Sequence, residues 1–313
     1  MAIDKKYIDL FHNISSKAAI SCYQLIGKKD KVAADKAAVD SMRNNLNKIN
    51  MKGRIVIGEG ELDEAPMLFI GEKLGTGNGP KLDIAVDPLE GTNFAANNLP
   101  GALSVIAVSE ESNLFSAPET YMHKIAISSS KRGIVDLDNT LTKNIKNLAE
   151  FKNTDPDKLT ACLLDRPRHQ KYIEELKLLG VKLKLISDGD VSGALLVSNK
   201  KHNVDIFFGI GGGPEGVLAA AALDTFGCFF QGKFIFDQEA DRVRANKMGI
   251  KDFDKKYELT DLISGDSIFC ATGITTGDLV NGIQKNTNSF ITETLITHKS
   301  SKLKKIFKTK HNI

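Results

Sequence analysis

Tryptophan is absent from the 313 residues, aromatic residues reach only 7%, and neither charge sign is in surplus. The 42 Lys and Arg stand against 39 Asp and Glu, a formal net charge of +3. Such a chain is not a polycation built to neutralise nucleic-acid phosphates, and it offers few rings on which single strands could stack. Long apolar runs are also missing. The richest stretch, Val204 to Leu223, is broken by Asp205, Pro214, Glu215 and five glycines, so it falls short of the roughly 18 apolar residues of a membrane span. The first ten residues carry Asp4, Lys5, Lys6 and Asp9, which does not match the basic start and apolar run of a secretory signal. Cys22, Cys162, Cys228 and Cys270 form no C-x-x-C pair and read as reduced core thiols. The histidines (His12, His123, His169, His202, His298, His311) form no HExxH or i,i+4 pattern, which disfavours zinc. These absences lead us to expect a cytoplasmic protein with neither a membrane nor a nucleic acid as partner.

What is present is an ordinary globular balance, 42% hydrophobic and 26% charged, with ample material for a core. The charge is uneven. Six lysines and no acid follow from Lys299 onward, so residues 1–298 carry a formal −3. A short Lys-rich end is expected to be solvated surface.

Apolar spacing predicts helices over Tyr7–Leu25 and Val32–Ile49. Short apolar runs predict strands at Arg54–Ile57, Leu82–Val86, Leu103–Val108 and Lys124–Ser128. A polar stretch from Asp138 to Lys158, helical in its middle, is the candidate boundary between an N-terminal α+β half, 1–158, and a C-terminal α/β half, 159–313. Beyond it strands at 159–164, 182–186 and 205–210 alternate with helices at 170–179, 191–198 and 215–223, which suggests parallel βαβ packing. Two sheet-containing halves meeting at a cleft is the expected architecture.

Acids concentrate immediately after strands. Glu59, Glu61, Asp63 and Glu64 lie in GEGELDE, and Asp87 and Glu90 lie in DPLEGT. Pro88 and Gly91 are expected to bracket a tight turn that projects Asp87 and Glu90 to one side. Gathered carboxylates repel unless a cation neutralises them, and hard oxygen donors suit Mg²⁺ or Mn²⁺.

Asp87-Pro88-Leu89-Glu90-Gly91-Thr92 resembles the D-P-[IL]-[DE]-G-T signature of the lithium-sensitive, metal-dependent sugar and inositol phosphatases. Gly58 to Leu68, the Ile84-Ala85-Val86 lead-in, Ala34 to Val39, Arg166 to His169, Asp188 to Val191 and Gly211 to Val217 narrow the resemblance. Together they look like class II (GlpX-type) fructose-1,6-bisphosphatase, in order from about Tyr7 to Thr294. The resemblance implies a layered α/β/α/β/α sandwich of the sugar-phosphatase type. It also implies Mn²⁺ or Mg²⁺ held by Asp35, Glu59, Asp87, Glu90 and Glu215, with Glu61 and Asp63 behind these ligands or acting as a base. Paired metals would orient a phosphate, stabilise its developing charge and lower the pKa of a bound water. Thr92 is either an ordinary helix N-cap or a group near the scissile phosphate. In the second role, attack by its hydroxyl and orientation of a metal-bound water both suit the residue.

Gly211-Gly212-Gly213-Pro214-Glu215-Gly216 also satisfies G-x-G-x-x-G after an apolar strand, with Asp237 some distance on, the fingerprint of a dinucleotide site. Glu215 argues against that reading, because a carboxylate in the first helical turn would repel a pyrophosphate. A metal-binding Glu fits without conflict.

A bisphosphate needs a second anion site, and Arg166 and Arg168 after a strand can present guanidinium groups to it. The resemblance places fructose 1,6-bisphosphate among Glu90, Gly91, Thr92, Tyr121, Arg166, Pro167, Arg168, Asp188, Gly189, Asp190 and Gly212. It implies hydrolysis of the 1-phosphate to give fructose 6-phosphate and phosphate, in gluconeogenesis and glycerol metabolism, by a homo-oligomer (dimer or tetramer). Related readings are the same chemistry on sedoheptulose 1,7-bisphosphate or an inositol phosphate. A different class is a non-catalytic sugar-phosphate sensor, and a third is nucleic-acid binding through Lys299–Lys310, which salt-dependent affinity would reveal.

Overall fold

The computed structural model describes residues 3–58 and 67–313. Glu59, Glu61 and Asp63, three of the expected site residues, lie outside the described residues. The chain forms two compact units, one of residues 1–116 with 263–313 and the other of residues 117–262.

The first unit opens with helices α1 (Lys6–Ser21) and α2 (Lys31–Leu46), followed by strands β1 (Lys52–Ile57), β2 (Lys73–Leu74) and β3 (Lys81–Glu90). Helix α3 (Thr92–Asn97) and strand β4 (Leu103–Glu110) complete its N-terminal part. Asp30 caps α2 by accepting from the Ala33 N–H at 2.9 Å, a typical use of Asp at a helix start. Phe11, Ile14 and Ala18 of α1 and Val39, Met42 and Leu46 of α2 pack with Ile55, Ile84, Val86, Ile106 and Val108 in one buried cluster. The helical period of the former and the strand alternation of the latter produce this face directly.

The second unit runs through β5 (Tyr121–Ile127), α4 (Leu141–Phe151), β6 (Thr160–Leu164), α5 (Gln170–Leu178), β7 (Lys182–Ile186), α6 (Asp190–Leu195), β8 (Ile206–Gly212) and α7 (Gly213–Phe226). It continues with β9 (Phe229–Phe234), α8 (Glu239–Lys247), β10 (Lys256–Glu258) and α9 (Leu259–Leu262). Its sheet has the order β10-β9-β5-β8-β6-β7. The expected parallel packing holds for β6 with β7 and with β8, whereas β5 runs antiparallel to β8 and β9. Ile125, Leu163 and Phe208 turn one sheet face toward Leu141, Ile145 and Leu148 of α4 and Ile173 and Leu176 of α5. Helices α6 and α7 contact the same strands, with Gly193 of α6 against Phe207 and Gly216 of α7 against Met122. Those side chains point oppositely to Phe208 and Ile125, so the unit has three layers, helices covering both faces.

The chain then returns to the first unit with β11 (Ser267–Gly273), β12 (Gln284–Asn286), β13 (Ser289–His298) and β14 (Leu303–Asn312). Strand β11 pairs antiparallel with β4, giving the order β12-β13-β11-β4-β3-β1-β2 with β14 on β13. The units therefore do not divide at residue 158. The polar 138–158 stretch lies within the second unit because α4 buries its apolar face there, and residues 263–313 belong to the first unit because they extend its sheet. The Lys-rich end is strand β14, paired with β13 from Ser289↔Asn312 to His298↔Leu303, and not a free solvated tail.

Candidate active site

In the first unit the DPLEGT segment is not a turn. Strand β3 continues through Pro88 to Glu90, pairing Asp87 with Val105 and Glu90 with Leu103 across a bulge. Three steps along β3 match two along β4, so Asp87 and Glu90 face the same side, as expected but for a different reason. A proline without an N–H is accommodated at a bulge. Glu90 is only 4% exposed. Gly91 takes φ +78 in the left-handed region and occupies the N-cap of α3, a conformation that glycine adopts without strain. Thr92 is thus the first helical residue and not the cap. Asp35 lies on α2, which packs against both β3 and α3. Burial, with the Asp35 charge adding, pushes the nearby Cys22 thiol up to about 12, and all four cysteines are buried and free.

The second unit gathers its expected residues at the carboxyl ends of β6, β7 and β8, where α/β sheets commonly bind ligands. Arg166 precedes the 3₁₀ turn Pro167–His169. Arg168 donates from Nε to the Ile210 carbonyl at 2.9 Å and lays its guanidinium 4.8 Å from the centre of the Tyr121 ring. Tyr121 pairs across the sheet with Gly212 and is 49% exposed. Arg166 lies 3.7 Å from Asp188. Gly189 caps α6 at φ +83, and Asp190 follows as its first residue. Glu215 stands in the first turn of α7 behind Pro214. Its carboxylate packs so closely on Gly212 that a Cβ there would lie 1.9 Å from Oε2.

Glu215 Oε2 is buried without a hydrogen-bond partner among the described residues. Burial raises its pKa, Lys124 opposes the rise, and Asp190 and Asp188 add to it. A buried carboxylate oxygen lacking a donor is costly alone, and a cation would complete it. Among the described residues no three His, Cys, Asp or Glu side chains converge on one point. Asp35, Asp87 and Glu90 in the first unit, and Glu215 in the second, each offer the hard oxygen donors that divalent ions take; Glu90 and the Glu215 Oε2 are buried.

Two residues were overlooked in the sequence. Lys124 lies inside the apolar run of β5, is 1% exposed and is ion-paired with Asp190; a lone charge in a buried strand is its signal. His169 is fully buried, with Nδ1 2.7 Å from the Leu164 carbonyl and Nε2 accepting from the Ile210 N–H at 2.7 Å. That tautomer is a neutral imidazole, and burial accordingly lowers its pKa. The ring ties the arginine turn to β8; its signals in the sequence were adjacency to Arg168 and its place in the Arg166 to His169 segment.

The family described as bacterial fructose-1,6-bisphosphatase, glpX-encoded, matches residues 6–311. A Prochlorococcus marinus (strain MIT 9301) protein named D-fructose 1,6-bisphosphatase class 2/sedoheptulose 1,7-bisphosphatase is 43% identical over 297 residues, covering 90% of this chain and 89% of the relative. A protein of the same name from Synechococcus sp. (strain CC9311) is 43% identical over 308 residues, covering 94% and 92%. Among solved structures, an inositol monophosphatase from Anabaena (Nostoc) sp. PCC 7120 aligns with TM-score 0.33 and 13% identity over 62% of this chain and 71% of its own. No helix among the described residues is long and apolar enough to cross a membrane. By the match of the family along nearly its whole length, the chain belongs to the bacterial, glpX-encoded fructose-1,6-bisphosphatases.

Proposed function

We propose that this chain hydrolyses the 1-phosphate of fructose 1,6-bisphosphate, giving fructose 6-phosphate and inorganic phosphate, with Mn²⁺ or Mg²⁺ as cofactor. The observation that carries the reading is the family match over residues 6–311, joined to acids at Asp35, Glu59, Asp87, Glu90 and Glu215. Those five would hold the divalent ions, which supply charge stabilisation at the phosphate and a more acidic bound water. Thr92, two residues after Glu90, would offer its hydroxyl either to attack phosphorus or to orient the attacking water. Glu61 and Asp63 stand as candidate bases. Arg166 and Arg168 bind the second phosphate, with Tyr121 and the Gly212 backbone beside them. Pro167 and Gly189 set the turns that aim the arginines and Asp190, and Asp188 and Asp190 accept from sugar hydroxyls. The relatives' double name makes sedoheptulose 1,7-bisphosphate the second substrate to examine. We place the reaction in gluconeogenesis and glycerol metabolism, in the cytoplasm, and in a homo-oligomer.

The test is phosphate release from both bisphosphates and from an inositol monophosphate, with Mn²⁺, Mg²⁺ or chelator present. Metal-dependent turnover of fructose 1,6-bisphosphate is expected. Binding without turnover would identify a sugar-phosphate sensor instead, and preference for the inositol ester would move the chain to the sister activity.

A further inference from the structure

The second unit contains a buried ion pair with no assigned role. Lys124 sits in the middle of β5, and its register neighbours are Gly209 on β8 and Gly232 on β9. Facing it on α7 is Gly216, where a Cβ would come 3.4 Å from the Lys124 Cε. Gly216 leaves room for the end of the lysine stem, while the His169 ring fills the space beside Gly209 and Met122 that beside Gly232. The ammonium at its end pairs with Asp190, itself 9% exposed. The carboxylate of Asp190 in turn lies against Gly211, where a Cβ would meet Oδ2 at 2.3 Å. Asp190 is therefore held between a fixed cation and a bare stretch of β8 backbone, one residue from Gly212.

An ammonium this deeply buried needs a fixed anion, and an ion pair used only for stability is often no better than apolar packing. The expense is better explained by orientation, since a carboxylate at the start of a six-residue helix has little else to fix its direction. We infer that Lys124 is a positioning residue of this phosphatase, holding the Asp190 carboxylate in the orientation that accepts from a sugar hydroxyl of the substrate. This rests on the reading of Asp190 as a substrate residue. Lys124 itself touches no reacting atom, so its effect falls on substrate binding.

The experiment compares steady-state kinetics and melting temperature for Lys124→Met, Asp190→Asn and the double variant, with fructose 1,6-bisphosphate and saturating Mn²⁺. Both single variants are expected to raise KM about ten-fold with kcat within about three-fold, and the double variant to match Asp190→Asn, because coupled neighbours do not add. Each single variant leaves one buried charge without its partner, so the double variant, which removes both, decides the matter if a single variant fails to fold: a raised KM is expected, and wild-type KM would overturn the inference. A lower melting temperature for Lys124→Met with unchanged KM would make the pair merely structural and overturn the inference. So would a double variant far weaker in KM than Asp190→Asn. Unchanged KM in Asp190→Asn would instead remove Asp190 from the substrate site, and absent turnover in the wild type would remove the activity itself.

Discussion

At the scale of single residues, Thr92 and Arg168 bear the most direct predictions. Thr92 begins α3 without capping it, so removing its hydroxyl leaves the helix start intact. Thr92→Ala is expected to lower kcat about 100-fold or more with a small change in KM, as for loss of one transition-state contact, while Thr92→Ser retains most activity. Full activity in Thr92→Ala would exclude the hydroxyl from the reaction. Arg168 is held by the Ile210 carbonyl and the Tyr121 ring. Arg168→Ala is expected to raise KM for the bisphosphate about 10–100-fold, the worth of a charge-assisted hydrogen bond. Lysine should not restore binding, because it lacks the planar fork and the Nε donor; wild-type KM in Arg168→Lys would contradict this. The arginines and acids directly after strands, singled out with the help of the resemblance, are placed by the structure at one end of the second unit's sheet. Lys124 was not legible in the sequence, since its partner Asp190 and the glycine beside its stem, Gly216 of α7, are distant in sequence.

At the scale of elements, the Lys-rich end shows where periodicity misleads. The alternating exposure of Leu303 to Asn312 is that of an edge strand, but six lysines in a short span read as solvated surface. Lys304, Lys305, Lys308 and Lys310 are exposed on this edge strand, and lysines on an edge discourage further strands from pairing there. Leu303 and Phe307, by contrast, pack against the core of the first unit. Deleting residues 303–313 is expected to lower the melting temperature by several degrees and to promote self-association through the uncovered β13. Scanning fluorimetry and light scattering would show it, and an unchanged melting temperature in a monodisperse protein would contradict the account. The DPLEGT segment was misread in form but not in consequence, because a bulge and a turn both bring Asp87 and Glu90 to one side. Among the fingerprint glycines, Gly211 and Gly212 allow close packing of the Asp190 and Glu215 carboxylates: Gly211→Ala is expected to displace Asp190 and raise KM without abolishing folding.

At the scale of the whole molecule, strand and helix positions were largely readable from local apolar spacing, whereas the unit boundary was not. Nothing local to residues 263–313 states that they rejoin a sheet begun far earlier in the chain; that depends on antiparallel pairing with β4. One buried histidine makes stability depend on pH on the acid side. Burial drives His123 down to about 4, from an ordinary 6.5, with the His169 charge also lowering it. Below pH 6.5 the unfolded chain takes up that proton while the folded chain does not until about pH 4. Stability is therefore full above the unfolded value and falls across that window, by up to about 3 kcal/mol from this group alone. His123→Phe should keep the ring contacts with Tyr172 and Phe208 and flatten the decline of melting temperature between pH 6.5 and about 4. An unchanged profile would show that His123 is not the group responsible.

The central claim, metal-dependent removal of the 1-phosphate, is most directly tested by following fructose 1,6-bisphosphate by ³¹P NMR with the Mg²⁺-supplied protein. The account predicts that the 1-phosphate signal disappears, that one equivalent of inorganic phosphate replaces it, and that the 6-phosphate persists, all halted by chelator. Loss of the 6-phosphate, or an unchanged spectrum with Mg²⁺ supplied, would contradict it.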